Sequence, residues 1–133
     1  MSFLFDLIAL FAGMPALSLA AWYMILAGIV SGLLAAVFGV MDYFTIPPRT
    51  RAKRVAMLHG AGNVVVLVLF AMSWLLRWDA PELANPIAIV ISGAAFLLAG
   101  VTGWLGGELV NRLGVDRGAN PDAPSSLSGR PAA

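Results

Sequence analysis

Long runs of apolar residues, separated by short polar connections, make up most of the chain. Three of these runs, at about residues 17–43, 55–76 and 87–110, each supply the roughly 20 apolar residues that a helix needs to cross a bilayer. Tyrosine and tryptophan rings lie near several of their ends, where amphipathic rings prefer the headgroup boundary. The pattern therefore predicts three full transmembrane helices.

A fourth apolar run precedes them and is about half as long. It extends from Phe3 to Phe11, is interrupted by Asp6, and is followed by Gly13 and Pro15, which favour a helix end and a new helix start. A helix of roughly ten residues rises about 15 Å, half of the hydrocarbon core. We therefore expect an all-α, polytopic membrane bundle of three full transmembrane helices and a half-length first helix.

The last part of the chain has a different composition. Beyond Gly114 it is rich in Pro, Gly, Ser and Ala, with too little apolar surface to offset the entropy of ordering. Residues 1–115 are therefore expected to form the transmembrane helical bundle, and residues 116–133 a flexible or extended cytoplasmic tail.

The composition agrees with a membrane location. The chain is 60% hydrophobic and 11% charged over 133 residues, whereas a soluble domain has about 25% charged residues. It has no cysteine, which excludes disulfides and thiolate metal sites. The net charge is only +1 and the cations are concentrated in one loop, which argues against nucleic acid as a partner.

Four cations in the second connection determine the expected orientation. Arg49, Arg51, Lys53 and Arg54 lie in the connection between the second and third helices, whereas the first connection has no Lys or Arg. Because cytoplasmic loops of membrane proteins are enriched in Lys and Arg, this loop is expected to be cytoplasmic. An even number of helices then places both termini in the cytoplasm.

Small residues mark two helix faces for close packing. In lipid, helices associate largely through close backbone contact at small residues. Glycines recur at intervals of three, four or seven positions in the second and fourth runs. The residues expected to pack are Gly28, Gly32, Gly39, Gly100, Gly103 and Gly107.

Five polar residues interrupt the apolar runs and are candidates for function, because polar groups at membrane depth are costly. With the orientation above, they are expected in one layer near the cytoplasmic ends of the helices. Asn63 follows His59 by one turn on the same face. The predicted polar cluster comprises Asp6, Asp42, His59, Asn63 and Glu108.

Three members of this cluster also have a structural interpretation. Glu108 precedes Arg112 by one helical turn and can form an ion pair with it. Asp42 can solvate a helix end or pair with a cation of the basic loop, and His59 can be a hydrogen-bonded packing residue. The sequence shows no nucleophile with an adjacent base, no phosphate-binding loop and no metal-ligand spacing, so we expect neither an enzyme nor a metal site.

Three segments resemble domain-of-unknown-function family 2231, predicted bacterial four-helix membrane proteins. They read GLLAAVFGVMDYFTIPP, RAKRVAMLHGAGNVVVLVLFAMSWLLR and GVTGWLGGELVNRLGVDRG. The family pattern places Asp42 after the second helix's glycine, His59 and Asn63 at the start of the third helix, and a GWLGGE-type ending at residues 103–108. The resemblance covers about residues 6–115 and implies a multi-pass protein of the bacterial inner membrane.

The same resemblance bears on cofactors. The family domain is sometimes joined to Rieske-type or cytochrome c-type domains, which implies membrane electron transfer by association. Family members usually begin with a segment that contains histidine and proline, and they commonly carry a histidine where this chain has Leu113. With His59 as its one histidine, a single copy of this chain cannot supply both ligands of a bis-histidine haem.

Three functions are weighed against the sequence, and a small transporter or channel fits least, because the outer halves of the three full helices show little polarity. The first is a non-catalytic structural or accessory subunit of a larger bacterial energy-converting (electron-transfer) membrane complex, in contact with lipid and with other membrane subunits or further copies of itself, and without a cofactor. The alternative is a redox module that binds haem or a quinone at His59 and Asn63 on the cytoplasmic side.

Overall fold

The computed structural model of the protein describes residues 1–114 and 120–124. Over those residues the chain forms four α-helices and no β-strand. The helices are α1 (Ser2–Ala12), α2 (Pro15–Thr45), α3 (Arg51–Leu75) and α4 (Pro86–Asn111). The last three are long and apolar enough to cross a membrane, whereas α1 is a short apolar helix. The predicted all-α membrane bundle with a half-length first helix is thus confirmed.

Local capping explains most of the helix boundaries. Gly13 ends α1 in the left-handed conformation at φ 63°, which glycine adopts without strain, and Pro15 begins α2. Asn85 Oδ1 accepts the Ala88 N–H at 3.1 Å at the start of α4, as an N-cap residue does. Helix α3 begins within the basic stretch, four residues before the predicted start, because Thr50 Oγ1 accepts the Lys53 N–H at 3.2 Å.

The chain divides into two compact units, and each long helix contributes to both. The first unit contains residues 1–35 and 64–98, and the second contains residues 36–63 together with the described residues from 99 onward. Buried apolar side chains form the interior of each unit. In the first unit they are Ala9, Ala21, Ile25, Val66, Ala88, Ile89 and Ala95, and in the second they are Ile46, Ala52, Val55, Leu109, Leu113 and Ala123.

Aromatic contacts hold α1 in the first unit. The Phe3 ring stacks on Phe96 with 5.8 Å between the ring centroids. It also lies over Gly93, where an added Cβ would come within 2.8 Å of Phe3 Cε2. Because glycine leaves this space open, α1 packs closely against α4 although it is too short to cross a bilayer.

The predicted tail is described in part. Residues 120–124 form a turn segment that belongs to the second unit, and Ala123 is buried beside Ala52 and Leu113. The rest of the predicted tail, residues 116–119 and 125–133, lies outside the described residues. The composition of the tail does not reveal this packing, because the buried surface of Ala123 is small.

Most of the glycines predicted to mediate helix packing have open space at the Cβ position among the described residues. Only Gly32 is in close contact, since an added Cβ would lie 2.7 Å from Leu67 Cδ2. At Gly107 the nearest atom would be Asn111 Nδ2, at 3.9 Å. Around the remaining four, no described atom lies within 4 Å of such a Cβ; they are Gly28, Gly39, Gly100 and Gly103. Regular spacing shows that a helix has a small-residue face, but not which way that face points.

Candidate functional site

His59 lies in the second unit, between α3 and α4, and both of its ring nitrogens are hydrogen-bonded. Nδ1 is 2.7 Å from the Thr102 carbonyl oxygen, and because a carbonyl can only accept, Nδ1 carries the proton and donates. Nε2 of the neutral ring then accepts a hydrogen bond from Asn63 Nδ2 at 3.0 Å. The two residues predicted to form a cofactor site are therefore bonded to each other and to α4.

Two glycines make room for this contact. An added Cβ at Gly106 would lie 2.9 Å from His59 Cε1, and one at Gly62 would lie 2.5 Å from Thr102 Cγ2. Gly62 of α3 thus leaves space for Thr102 of α4, and Gly106 of α4 leaves space for His59 of α3. The sequence analysis assigned packing to other glycines, although the GxxGG stretch at residues 103–107 of α4 includes Gly106.

Glu108 is buried beside two cations. Its side chain is 4% exposed, and Arg51 Nη2 lies 3.1 Å from Glu108 Oε2. The predicted partner Arg112 is one turn further along α4, with its Nε 4.0 Å from Glu108 Oε1. Arg51 is therefore closer to Glu108 than Arg112 is. Arg51 was predicted only as a topology signal, but its charge also compensates the buried Glu108 carboxylate.

The segment at residues 120–124 completes the start of α3. Asp122 Oδ1 accepts the Arg51 backbone N–H at 2.7 Å, and the Pro121 carbonyl accepts the Ala52 N–H at 2.9 Å. Arg51 Nη1 also donates to the Ala123 carbonyl at 2.8 Å. The first N–H groups of a helix have no partner within that helix, so this remote segment provides the N-terminal cap of α3.

Replacing Asp122 by Ala removes the carboxylate that caps α3 and is expected to lower the free energy of unfolding by about 1 kcal/mol. Replacing it by Asn keeps an acceptor oxygen and is expected to cost much less. Circular dichroism of the detergent-solubilised protein during denaturant unfolding measures both. Equal losses for Ala and Asn would show that the side-chain oxygen at this position does not act as a cap.

The other two members of the predicted cluster have surroundings different from those of His59. Asp42 is exposed near the end of α2, and no described side chain pairs with its carboxylate. Asp6 belongs to the first unit, where it pairs with Arg77 just beyond the end of α3 opposite to His59. The expectation that Asp6 lies at the level of His59 depended on where the first helix begins, and it stays a prediction.

Asp6 is part of a buried polar network in the first unit. Arg77 Nη1 and Nη2 donate to the two Asp6 carboxylate oxygens at 2.6 and 2.9 Å. Arg77 Nη2 also donates to Ser73 Oγ at 2.9 Å, and Ser73 Oγ donates to the Ala88 carbonyl at 2.7 Å. The network links α1 and α4 through residues at the end of α3. The sequence analysis did not predict a structural role for Arg77. The signal that could have indicated one is its position as a cation directly after an apolar span.

Comparison with known families covers nearly the whole chain. Residues 1–119 match the family described as "Predicted membrane protein (DUF2231)". The chain belongs to this family. The resemblance predicted from the three segments is thereby confirmed. No curated protein and no solved structure shows a significant match.

The segments that carry the DUF2231 resemblance meet in the second unit. His59 and Asn63 come from the α3 segment, and Gly106 belongs to the GWLGGE segment of α4. The close approach of the His59 ring to Gly106 gives a physical reason why a glycine-rich stretch accompanies this histidine. In this DUF2231 chain the two segments together form a helix-to-helix contact.

In this geometry both imidazole nitrogens of His59 are occupied by hydrogen bonds. A haem iron needs a free imidazole nitrogen, and in this DUF2231 chain His59 Nδ1 donates to Thr102 while Nε2 accepts from Asn63. Ligation would require Asn63 to rotate away from the ring. Over the described ranges, no group of three or more His, Cys, Asp or Glu residues is placed to hold a metal ion.

Proposed function

We propose that this DUF2231 protein is a non-catalytic, multi-pass subunit of a larger membrane assembly. The observation that carries the proposal is the surface of α2. In its most apolar stretch only 6% of the residues are buried within the chain, compared with 33% in α4. Most of the surface of this stretch of α2 is thus left uncovered by the described residues of its own chain.

The exposed surface of α2 has the composition of a helix interface. Gly28 and Gly39 have open space where a Cβ would stand, and Ser31 is exposed between them and donates to the Ala27 and Gly28 carbonyls. Small residues allow a second helix to approach the backbone closely, whereas lipid chains gain little from them. A transmembrane helix of another subunit is the occupant that this surface suits best.

The proposal includes a location and an orientation. The cations of the second connection favour the cytoplasmic side for that loop and for residues 120–124, which pack beside it. We propose the bacterial inner membrane as the location and energy conversion as the setting. Membership of DUF2231 supports the membrane location, and the role in electron transfer rests on the domain associations of the family alone.

Affinity purification of the tagged protein from its native membrane in mild detergent tests the proposal. We expect a discrete complex of fixed stoichiometry. We also expect that replacing Gly28 and Gly39 by Leu releases the partner without unfolding the chain, since both positions are open. Gly60→Leu is the matched control, because Gly60 is an open glycine on α3.

Two results would contradict the assignment. Recovery of the chain only as a free monomer would exclude a stable assembly. A complex that survives the Gly28→Leu and Gly39→Leu replacements unchanged would show that the partner binds elsewhere. A dimer formed by the purified chain alone would identify the partner helix as a second copy of α2.

A further inference from the structure

The four cations at the junction of α2 and α3, of which Arg49 precedes α3 and the others lie in its first turn, divide into two pairs with different surroundings. Arg51 bonds to Glu108 and to the Ala123 carbonyl. Lys53 Nζ donates to the Tyr43 carbonyl and lies 3.6 Å from the centre of the Tyr43 ring. The charges of Arg51 and Lys53 therefore both interact with groups of the second unit.

Arg49 and Arg54 form the other pair. Both residues are exposed, and the guanidinium groups have no hydrogen-bond or ion-pair partner in the part of the chain that the structure describes. Among the described carboxylates, Glu108 and Asp122 bond to Arg51, and Asp42 forms no ion pair with Arg49 or Arg54. Two positive charges are therefore presented outward, within one short stretch of chain.

This stretch lies where a membrane-spanning helix ends and another begins. Helix α2 ends at Thr45 and α3 begins at Arg51, so the connection is close to the headgroup level of the bilayer. Phe44 is 77% exposed at the end of α2, as expected for an aromatic residue at the membrane boundary. Lipid headgroups are therefore within reach of Arg49 and Arg54 at this level.

The backbone of Arg49 gives an independent reason to assign its side chain a role. Arg49 has φ 65°, and among the described residues it is the one non-glycine residue with a positive φ. An L-residue with a long side chain is strained there, whereas glycine would adopt this turn freely. The protein is less stable with arginine at this position than it would be with glycine. This indicates a function for the charge.

We propose that Arg49 and Arg54 bind the phosphate of an anionic phospholipid at this membrane surface. A guanidinium group matches a phosphate with two parallel N–H donors, and both charges are free to do so. Basic residues at a membrane surface increase the affinity for anionic lipid by about fivefold each. This proposal is independent of the assembly proposed above, since it concerns lipid contact at a different surface from α2.

Native mass spectrometry of the purified protein, titrated with phosphatidylglycerol or phosphatidylcholine, tests the proposal. The variant with Arg49→Gln and Arg54→Gln is expected to bind phosphatidylglycerol about 25-fold more weakly, with phosphatidylcholine binding unchanged. Arg112→Gln is the matched control, because Arg112 is engaged with Glu108. It is expected to retain the preference for phosphatidylglycerol.

Arg49→Gly separates a lipid contact from a structural role. It is expected to raise the thermal midpoint of the protein in phosphatidylcholine, because the strain at φ 65° is relieved, while it lowers phosphatidylglycerol affinity about fivefold. Equal phosphatidylglycerol binding by the wild-type protein and the double variant would overturn the proposal. So would displacement of the lipid by inorganic phosphate alone, which would identify free phosphate as the ligand.

Discussion

Replacing Asp6 by Asn is expected to lower the free energy of unfolding by about 3–5 kcal/mol, the cost of breaking a buried ion pair. Asp6 is 1% exposed and Arg77 is 2% exposed. The replacement removes the negative charge but leaves the Arg77 guanidinium buried without compensation. The pair also joins α1 to the rest of the first unit, so α1 is expected to lose its position. Denaturant unfolding in detergent micelles, followed by circular dichroism, measures the change.

Two variants identify the uncompensated charge as the cause. Combining Asp6→Asn with Arg77→Gln removes both charges and is expected to cost less than Asp6→Asn alone. Asp79→Asn, at an exposed position just after α3, is expected to change stability by less than about 0.5 kcal/mol. If Asp6→Asn changed the free energy of unfolding as little as Asp79→Asn does, the Asp6–Arg77 ion pair would contribute nothing to the stability of the fold.

Replacing Gly62 by Ala is expected to lower the free energy of unfolding by about 1–3 kcal/mol through overpacking. The new methyl group would lie 2.5 Å from Thr102 Cγ2, so either the buried Thr102 side chain must rotate or α3 and α4 must move apart. A separation of the helices would also lengthen the hydrogen bond from His59 Nδ1 to the Thr102 carbonyl. The same unfolding measurement reports the loss of stability.

The chain offers both a rescue and a control for this prediction. Thr102→Ser removes Cγ2 and keeps the hydroxyl that donates to the Ala99 carbonyl at 3.1 Å, so it is expected to restore most of the stability lost in Gly62→Ala. Gly60→Ala adds a methyl group into open space on the same helix and is expected to stabilise the protein by about 0.5–1 kcal/mol. Similar changes in the free energy of unfolding for Gly60→Ala and Gly62→Ala would contradict the close contact between Gly62 and Thr102.

The helices follow from the sequence because their causes are local. Apolar runs long enough to span a bilayer are contiguous, and Gly13, Pro15 and the Asn85-Pro86 pair act on adjacent residues. The start of α3 is the exception among the boundaries. Its cap includes Asp122, which is separated from Arg51 by 71 positions, so no local pattern predicts it.

The sequence predicts the candidate site less completely than the helices, because many contacts of the site join residues that are far apart in the sequence. His59 and Asn63 lie one turn apart, and their pairing follows from helical geometry. Asp6 and Arg77 are separated by 71 positions, and only the packing of α1 brings them together. Choosing between Gly62 and Gly100 as packing residues likewise requires the rotation of each helix about its axis, which a single sequence does not contain.

The remote cap of α3 also determines when this part of the molecule can be completed during synthesis. At about 5–20 residues per second, the 71 positions between Arg51 and Asp122 take a ribosome about 4–14 seconds to translate. Until residues 121–123 have been synthesised, the N–H groups of Arg51 and Ala52 lack the partners that they have in the folded second unit. The N-terminal cap of α3 can therefore be completed only after all of α4 has been made.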